Sequence, residues 1–190
     1  LFAMEREELF RNIISDFQQG MKIPFFVTVD LEGCQNPFAN FKNFTAASEI
    51  DSDNKALQKG EVEGQYLKEL GFSINFAPVV DLDDEIWKCR SFPGDEGMIS
   101  SLAASYTRGL QKHGLVATAK HYPGKTLVVK DPHKFLVLAE INQNDVFPYS
   151  YLFSKSNISA VMVSHIITTG HVDSSGIPSV TSPEVVGEIK

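Results

Sequence analysis

Four short apolar runs constrain this chain more than any other feature, because each ends in an ionisable residue. Residues 25–29 lead to Asp30, 74–80 to Asp81, 115–119 to Lys120 and His121, and 158–164 to His165. The runs are β-branched or aromatic and mostly unalternated, as in parallel strands covered on both faces. The intervals between their ends, 51, 40 and 44 residues, each leave room for a crossover helix. Residues 55–70 put Leu57, Val62, Tyr66, Leu67 and Leu70 largely on one side, with Gly71 as a cap. Residues 96–112 repeat that pattern with Ile99, Leu102, Tyr106 and Leu110, and Gly114 closes them. A weaker helix is expected over 145–154, where Pro148 interrupts the first turns, and residues 1–17 read as a strand end followed by a helix. Strand and helix in alternation mean an α/β fold with a parallel sheet, as one domain over residues 1–190.

Composition narrows the function. The 190 residues carry a formal net charge of −7, which gives no electrostatic footprint for nucleic acid or an anionic membrane surface. No apolar run approaches the roughly 18 to 20 residues of a membrane span. The start shows no signal-peptide pattern, and a cytoplasmic location is expected. Cys34 and Cys89 form neither a disulfide framework nor a metal knuckle, so two reduced thiols are expected.

In parallel α/β folds, ligands bind at the carboxyl ends of the strands. Those ends here hold Asp30, Asp81, Lys120, His121 and His165, which favours an active-site face. The segment from Lys120 to His133 leaves a strand end as a long loop, with Asp131 and His133 flanking Pro132. A carboxylate that takes a hydrogen bond from one imidazole nitrogen fixes the tautomer and leaves the other nitrogen to move protons. By spacing alone, such a pair is also what a solvated loop carries.

Several motifs in order raise the specificity. Val29-Asp30-Leu31-Glu32-Gly33, Asn75-Phe76-Ala77-Pro78-Val79-Val80-Asp81, Arg90-Ser91-Phe92 and Lys120-His121-Tyr122-Pro123-Gly124 resemble the landmarks of glycoside hydrolase family 3, in its bacterial β-N-acetylglucosaminidase branch. Ala160 to His165 and Ile177 to Ser182 match its later pattern, so the likeness spans nearly the whole chain. The resemblance implies a (β/α)8 barrel of the TIM type, incomplete in this chain with strands missing at both ends, since a full barrel takes about 250 residues. It implies a truncated N-terminal catalytic domain that removes terminal β-linked N-acetylglucosamine from glycans such as peptidoglycan fragments. The partner would be that carbohydrate, with no cofactor, metal, nucleic acid or membrane span.

The roles carried over by the resemblance are specific. His133 resembles the general acid/base and Asp131 its partner, where most glycosidases use two carboxylates. Arg90, Lys120, His121 and Asp30 resemble the groups that hold the sugar. The nucleophilic Asp would lie beyond Lys190, so that residues 1–190 alone are expected to be inactive. Each role has a plainer rival. Arg90 also suits a surface ion pair with Asp83, Asp84 or Glu85; Asp30, Lys120 and His121 also suit strand-end caps. Asp81 and His165 read as supports beneath the site, and Trp87 as core or rim rather than a sugar-stacking platform.

The chain departs from the family pattern at the first strand. Glu-Gly-Gly-Arg-Val-x-Arg is replaced by Glu32-Gly33-Cys34-Gln35-Asn36-Pro37-Phe38, without either basic residue. Lys125-Thr126 stands for His-Gly, and Pro132 for Ser. Two other readings therefore stand beside the glycosidase. One is a non-catalytic sugar-binding module on the same fold. The other is a metal-dependent hydrolase with Asp30, His121, His133 and His165 as ligands.

Overall fold

A computed structural model describes residues 5–82, 84–125 and 130–189 of the chain. In chain order the helices are α1 (Glu7–Gln18), α2 (Asp53–Leu70), α3 (Glu96–Gln111), α4 (Gln143–Lys155) and α5 (Pro183–Glu188). The strands are β1 (Thr28–Val29), β2 (Ile74–Asn75), β3 (Val116–Tyr122), β4 (Leu138–Ile141), β5 (Ala160–Val163) and β6 (Ile167–Gly170).

Local chemistry sets the helix ends. Asp95 Oδ1 accepts from the Met98 N–H at 2.9 Å and starts α3. Asn142 and Asp145 bond reciprocally to each other's backbone N–H groups and start α4 strongly enough to carry Pro148 within it. Ser182 caps α5 with Pro183 behind it, and Val185 on that helix is fully buried. At the end of α2, Gly71 adopts φ +95°, which lets the Phe72 N–H reach back to the Leu67 carbonyl at 3.0 Å.

All pairings in the main sheet are parallel, in the order β1-β2-β3-β5. Thr28 faces Ile74, Ile74 faces Val116, and Thr118 faces Ala160, so the carboxyl ends of these strands emerge on one side. Pro78 has no N–H to donate, but the contact between the second and third runs continues past β2. Lys120 N–H bonds the Pro78 carbonyl at 3.1 Å and Val80 N–H bonds the Lys120 carbonyl at 2.9 Å. Val29, Ala117 and Ala119 fill the interior against the helices. An aromatic cluster of Phe10, Phe38, Phe72 and Tyr66 joins α1, α2 and the loop after β1, with Phe38 edge-on to Tyr66 at 5.2 Å.

The parallel α/β architecture is present, but among the described residues no barrel closes. β4 and β6 form a separate parallel pair, and a barrel requires each strand to have hydrogen-bonded neighbours on both sides all the way round. The first expected strand is shorter than its apolar run, because Phe25 and Phe26 lie before the ladder and are exposed. The expected strand end at Leu1-Phe2 lies outside the described residues.

Candidate active site

The strand ends build a charged floor. Lys120, at the end of β3, is buried, and its Nζ lies 2.8 Å from Asp30 Oδ1 and 2.6 Å from Glu32 Oε2. Asp30 remains half in solvent, while Glu32 is buried. The next residue, His121, has its Nδ1 2.8 Å from Asp81 Oδ2, and its backbone N–H bonds Asp81 Oδ1 at 3.0 Å. Burial by itself would push the Asp81 carboxyl up; the hydrogen bonds of His121 and the charges of His121 and Arg90 outweigh it and hold the group below the usual carboxylate range. With Nδ1 committed to Asp81, His121 presents Nε2 to the cavity.

Arg90 is brought in by a tight turn. Asp84 Oδ1 accepts from the N–H groups of Ile86 and Trp87 at 3.2 and 2.9 Å, while its Oδ2 accepts from Arg90 Nε at 2.7 Å. The guanidinium is 2% exposed and lies 3.6 Å from Glu32 and 3.9 Å from Asp81. One terminal nitrogen of Arg90 has no hydrogen-bond partner among the described residues. A buried donor in that condition is available to a ligand oxygen. Of the carboxylates named as surface partners for Arg90, Asp84 takes it in the interior, Glu85 pairs with Lys88, and Asp83 lies outside the described residues.

A disulfide locks this turn against the loop after β1. Cys34 and Cys89 are bonded, with Cα atoms 5.4 Å apart, which corrects the expectation of two reduced thiols. The pairing was not visible at a separation of 55 residues; it arises because β1 and β2 are neighbours and the loops that follow them meet. Gly33 makes the contact possible at φ +56°, since a Cβ there would fall 2.1 Å from the Arg90 Cα. Cys34 is exposed.

The His133–Asp131 pair sits above this floor. His133 Nδ1 is 2.8 Å from Asp131 Oδ1, which also accepts the His133 backbone N–H at 3.0 Å. These bonds hold the Asp131 carboxyl below its ordinary value and leave His133 Nε2 outward. His165 steadies the loop, and Trp87 lies beside it. His165 Nε2 is 2.7 Å from the Pro132 carbonyl, and the Trp87 and His133 ring centroids are 5.8 Å apart. Val128 and Val129, earlier in the loop, lie outside the described residues, as does Thr126.

A cavity of about 720 Å³ joins these parts. Asp30, Arg90, Lys120, His121 and His133 all line it, and Asp131 stands behind His133. His165 lines it as well as supporting the loop, whereas Asp81 is wholly beneath it. The sequence reading passed over Glu32, although it lies inside a quoted motif, and Ser164, whose buried hydroxyl lines the cavity without a hydrogen-bond partner among the described residues. Phe38, in place of a family arginine, is fully buried in the aromatic cluster, so that position supplies no ligand group. Lys125 is spent on Asp145 at 3.3 Å and the Glu140 carbonyl at 3.0 Å. The four residues of the metal alternative border the same cavity, but among the described residues no three His, Cys, Asp or Glu side chains are grouped to hold one ion.

Comparison with known proteins identifies the family. The family described as "Glycosyl hydrolase family 3 N terminal domain" matches residues 3–189. A beta-hexosaminidase of Actinobacillus succinogenes is 30% identical over 176 residues, covering 83% of this chain and 50% of that protein. One from Haemophilus influenzae is 29% identical, covering 86% and 51%. The crystal structure of native NagZ from Neisseria gonorrhoeae superposes with a TM-score of 0.79 at 25% identity, over 94% of this chain and 58% of that one. The chain thus spans about half the length of the curated relatives it matches. By this match across nearly all its residues, the chain belongs to glycoside hydrolase family 3, as part of the family's N-terminal domain.

Proposed function

We propose that the protein containing this chain is a retaining β-N-acetylglucosaminidase, built on a TIM-type barrel of which these strands are a part. The observation that carries the reading is the His133–Asp131 pair at 2.8 Å, bordering one cavity with Arg90, Lys120, His121 and Asp30. The relatives named beta-hexosaminidase support the substrate class.

In this mechanism the floor binds and the loop transfers protons. Lys120 donates to sugar hydroxyls from a position fixed by Asp30 and Glu32, and the half-exposed Asp30 accepts from them. His121 Nε2 and the Arg90 terminal nitrogen that has no hydrogen bond among the described residues complete the set of groups around the ring. His133 gives its Nε2 proton to the leaving oxygen; a carboxylate outside residues 1–190 attacks the anomeric carbon and forms the glycosyl-enzyme. His133 then takes a proton from water, which hydrolyses that intermediate. Asp131 holds the imidazole tautomer and balances its charge.

The test is hydrolysis of an aryl β-N-acetylglucosaminide by the full-length protein. Release of the β-anomer as the first product supports the reading, and absence of turnover overturns it. Phe38 and Gln35, standing where the family carries basic residues, favour one second reading, a sugar-binding module without catalysis. Binding of N-acetylglucosamine without turnover would select it.

No helix among the described residues is long and apolar enough to cross a membrane. The cytoplasmic location expected from the sequence enters the proposal against one observation, the Cys34–Cys89 disulfide, which that compartment would keep reduced. Thiol trapping in freshly lysed cells decides between them: free Cys34 and Cys89 support the cytoplasm, and a bonded pair supports an oxidising compartment and overturns it.

A further inference from the structure

We propose that Trp87 is the platform of a second subsite, which takes the leaving group of the reaction as a neutral pyranose ring. The inference rests on the reading of His133 as the proton donor. A general acid must come within about 3 Å of the oxygen it protonates. Whatever is bonded to that oxygen on the leaving side therefore passes beside His133. Among the described residues two rings pack there, the His165 imidazole with centroids 6.0 Å apart and the larger Trp87 indole with centroids 5.8 Å apart and planes at 42°.

Trp87 is not a core residue. It is half-buried and lines the cavity, and none of the described residues accepts a hydrogen bond from its indole N–H. Yet its position is set before any ligand arrives. Its backbone N–H is held by Asp84, its carbonyl accepts the Arg90 N–H at 3.1 Å, and the buried Arg90 guanidinium lies 5.1 Å from its ring. Cys89, two residues on, is bonded to Cys34. A ring fixed in this way loses little freedom on binding.

The charges around the cavity choose the ligand. Arg90 is paired with Asp84, Lys120 with Asp30 and Glu32, and His121 with Asp81, so these cations are already matched by carboxylates. An anionic leaving group finds no spare positive charge among them. A neutral sugar suits an indole: its C–H face covers the ring, and a hydroxyl can accept from the N–H.

The experiment uses the full-length protein and two unactivated glycosides, the β-1,4-linked disaccharide of N-acetylglucosamine and methyl β-N-acetylglucosaminide. Both leaving groups need a proton, and only the disaccharide has a second ring. Trp87→Ala should lower kcat/KM for the disaccharide by about 10- to 100-fold, the scale expected from losing roughly 100 Å² of apolar contact. The methyl glycoside should change by less than about 3-fold, and Trp87→Phe should restore most of the loss, as an aromatic ring remains. An equal fall on both substrates would overturn the proposal in favour of a role in holding Arg90 or His133, and no fall on either would overturn it outright. Should the parent protein hydrolyse neither glycoside, the functional reading fails by itself. Calorimetry then decides the subsite: tighter binding of the disaccharide than of N-acetylglucosamine by the parent, lost in Trp87→Ala, upholds it, and equal binding overturns it.

Discussion

The floor of the cavity and the loop above it use the same chemical pair, an imidazole on a carboxylate, in opposite environments. His121 and Asp81 are almost wholly enclosed, whereas the His133 side chain is 60% exposed. Both Nδ1–carboxylate distances are 2.8 Å. The difference lies in what a lost partner costs. Beneath the floor, solvent cannot replace Asp81, and Arg90 and His121 would keep their buried groups without it. On the loop, water can replace Asp131, so that pair is free to be tuned for proton transfer without endangering the fold. Burial thus makes one pair stiff and exposure keeps the other accessible, which is the division that the proposed sugar-holding and proton-donating roles require.

The largest effect that would sharpen this contrast is opposite in kind at the two ends. His133→Ala in the full-length protein should slow hydrolysis of poorly activated glycosides by about 10² to 10⁴-fold, the usual share of general acid–base catalysis. Its unfolding free energy should move by no more than about 0.5 kcal/mol, as for an exposed substitution. Asp81→Ala should instead cost about 3–5 kcal/mol of stability by stranding buried charge. Urea unfolding and steady-state kinetics on both variants check the pair of expectations. A stable Asp81→Ala protein, or a destabilised His133→Ala one, breaks the comparison.

Opening the Cys34–Cys89 bond comes next. Releasing a loop of this length is worth up to about 4 kcal/mol in the chain-entropy account of cross-links. The Cys34→Ser/Cys89→Ser double variant should show that loss in urea, with a raised KM because the Arg90 turn and the loop after β1 separate. An unchanged unfolding midpoint would show that the floor is held by its ion pairs alone.

Smaller effects belong to the carboxylates. Asp131→Asn should lower kcat less than His133→Ala does, because the imidazole stays and only its tautomer support weakens; a loss as large would give Asp131 a direct part in the chemistry. Acid should distinguish the floor by its stability. Asp81 is held below the ordinary carboxylate value of about 3.9, so the folded state favours its ionised form. The stability it contributes is complete above that ordinary value and is lost as the pH falls through the depressed folded one. Midpoints in urea measured from pH 6 down to pH 3 should fall at the acid end, and Asp81→Asn should flatten that fall.

What could be read in the sequence follows from how local each signal is. Unalternated runs ending in charge marked the four strands of the main sheet and the face where they emerge, because burial on both faces leaves that pattern. Helices α2 and α3 were legible from their apolar stripes and end residues. By contrast, β4 and β6 were not anticipated: β6 carries no comparable run, and the apolar residues 135–139 before Glu140 follow directly on the Asp131–His133 loop, without the helix-length interval that separates the other runs. Arg90 was named as a sugar ligand, but its burial under Asp84 and Glu32 depends on a close approach at Gly33 that no residue type announces. The Asp131-Pro132-His133 spacing suggested the hydrogen bond, while the contacts with His165 and Trp87 required the chain to return from 33 residues later and from the loop after β2.

Phe38 sets a direction on what this lineage can still become. The family pattern has arginine at that position, and here a phenyl ring is packed among Phe10, Tyr66 and Phe72. Phe38→Arg would drive a guanidinium into a site built of hydrocarbon, at a cost of several kcal/mol. Repacking the aromatic neighbours first would open a void before any charge arrived to use it. An arginine is therefore accommodated at this position only through several simultaneous substitutions. An engineer who wants a second cation in this cavity will find Gln35, exposed and already on its wall, the cheaper place to begin.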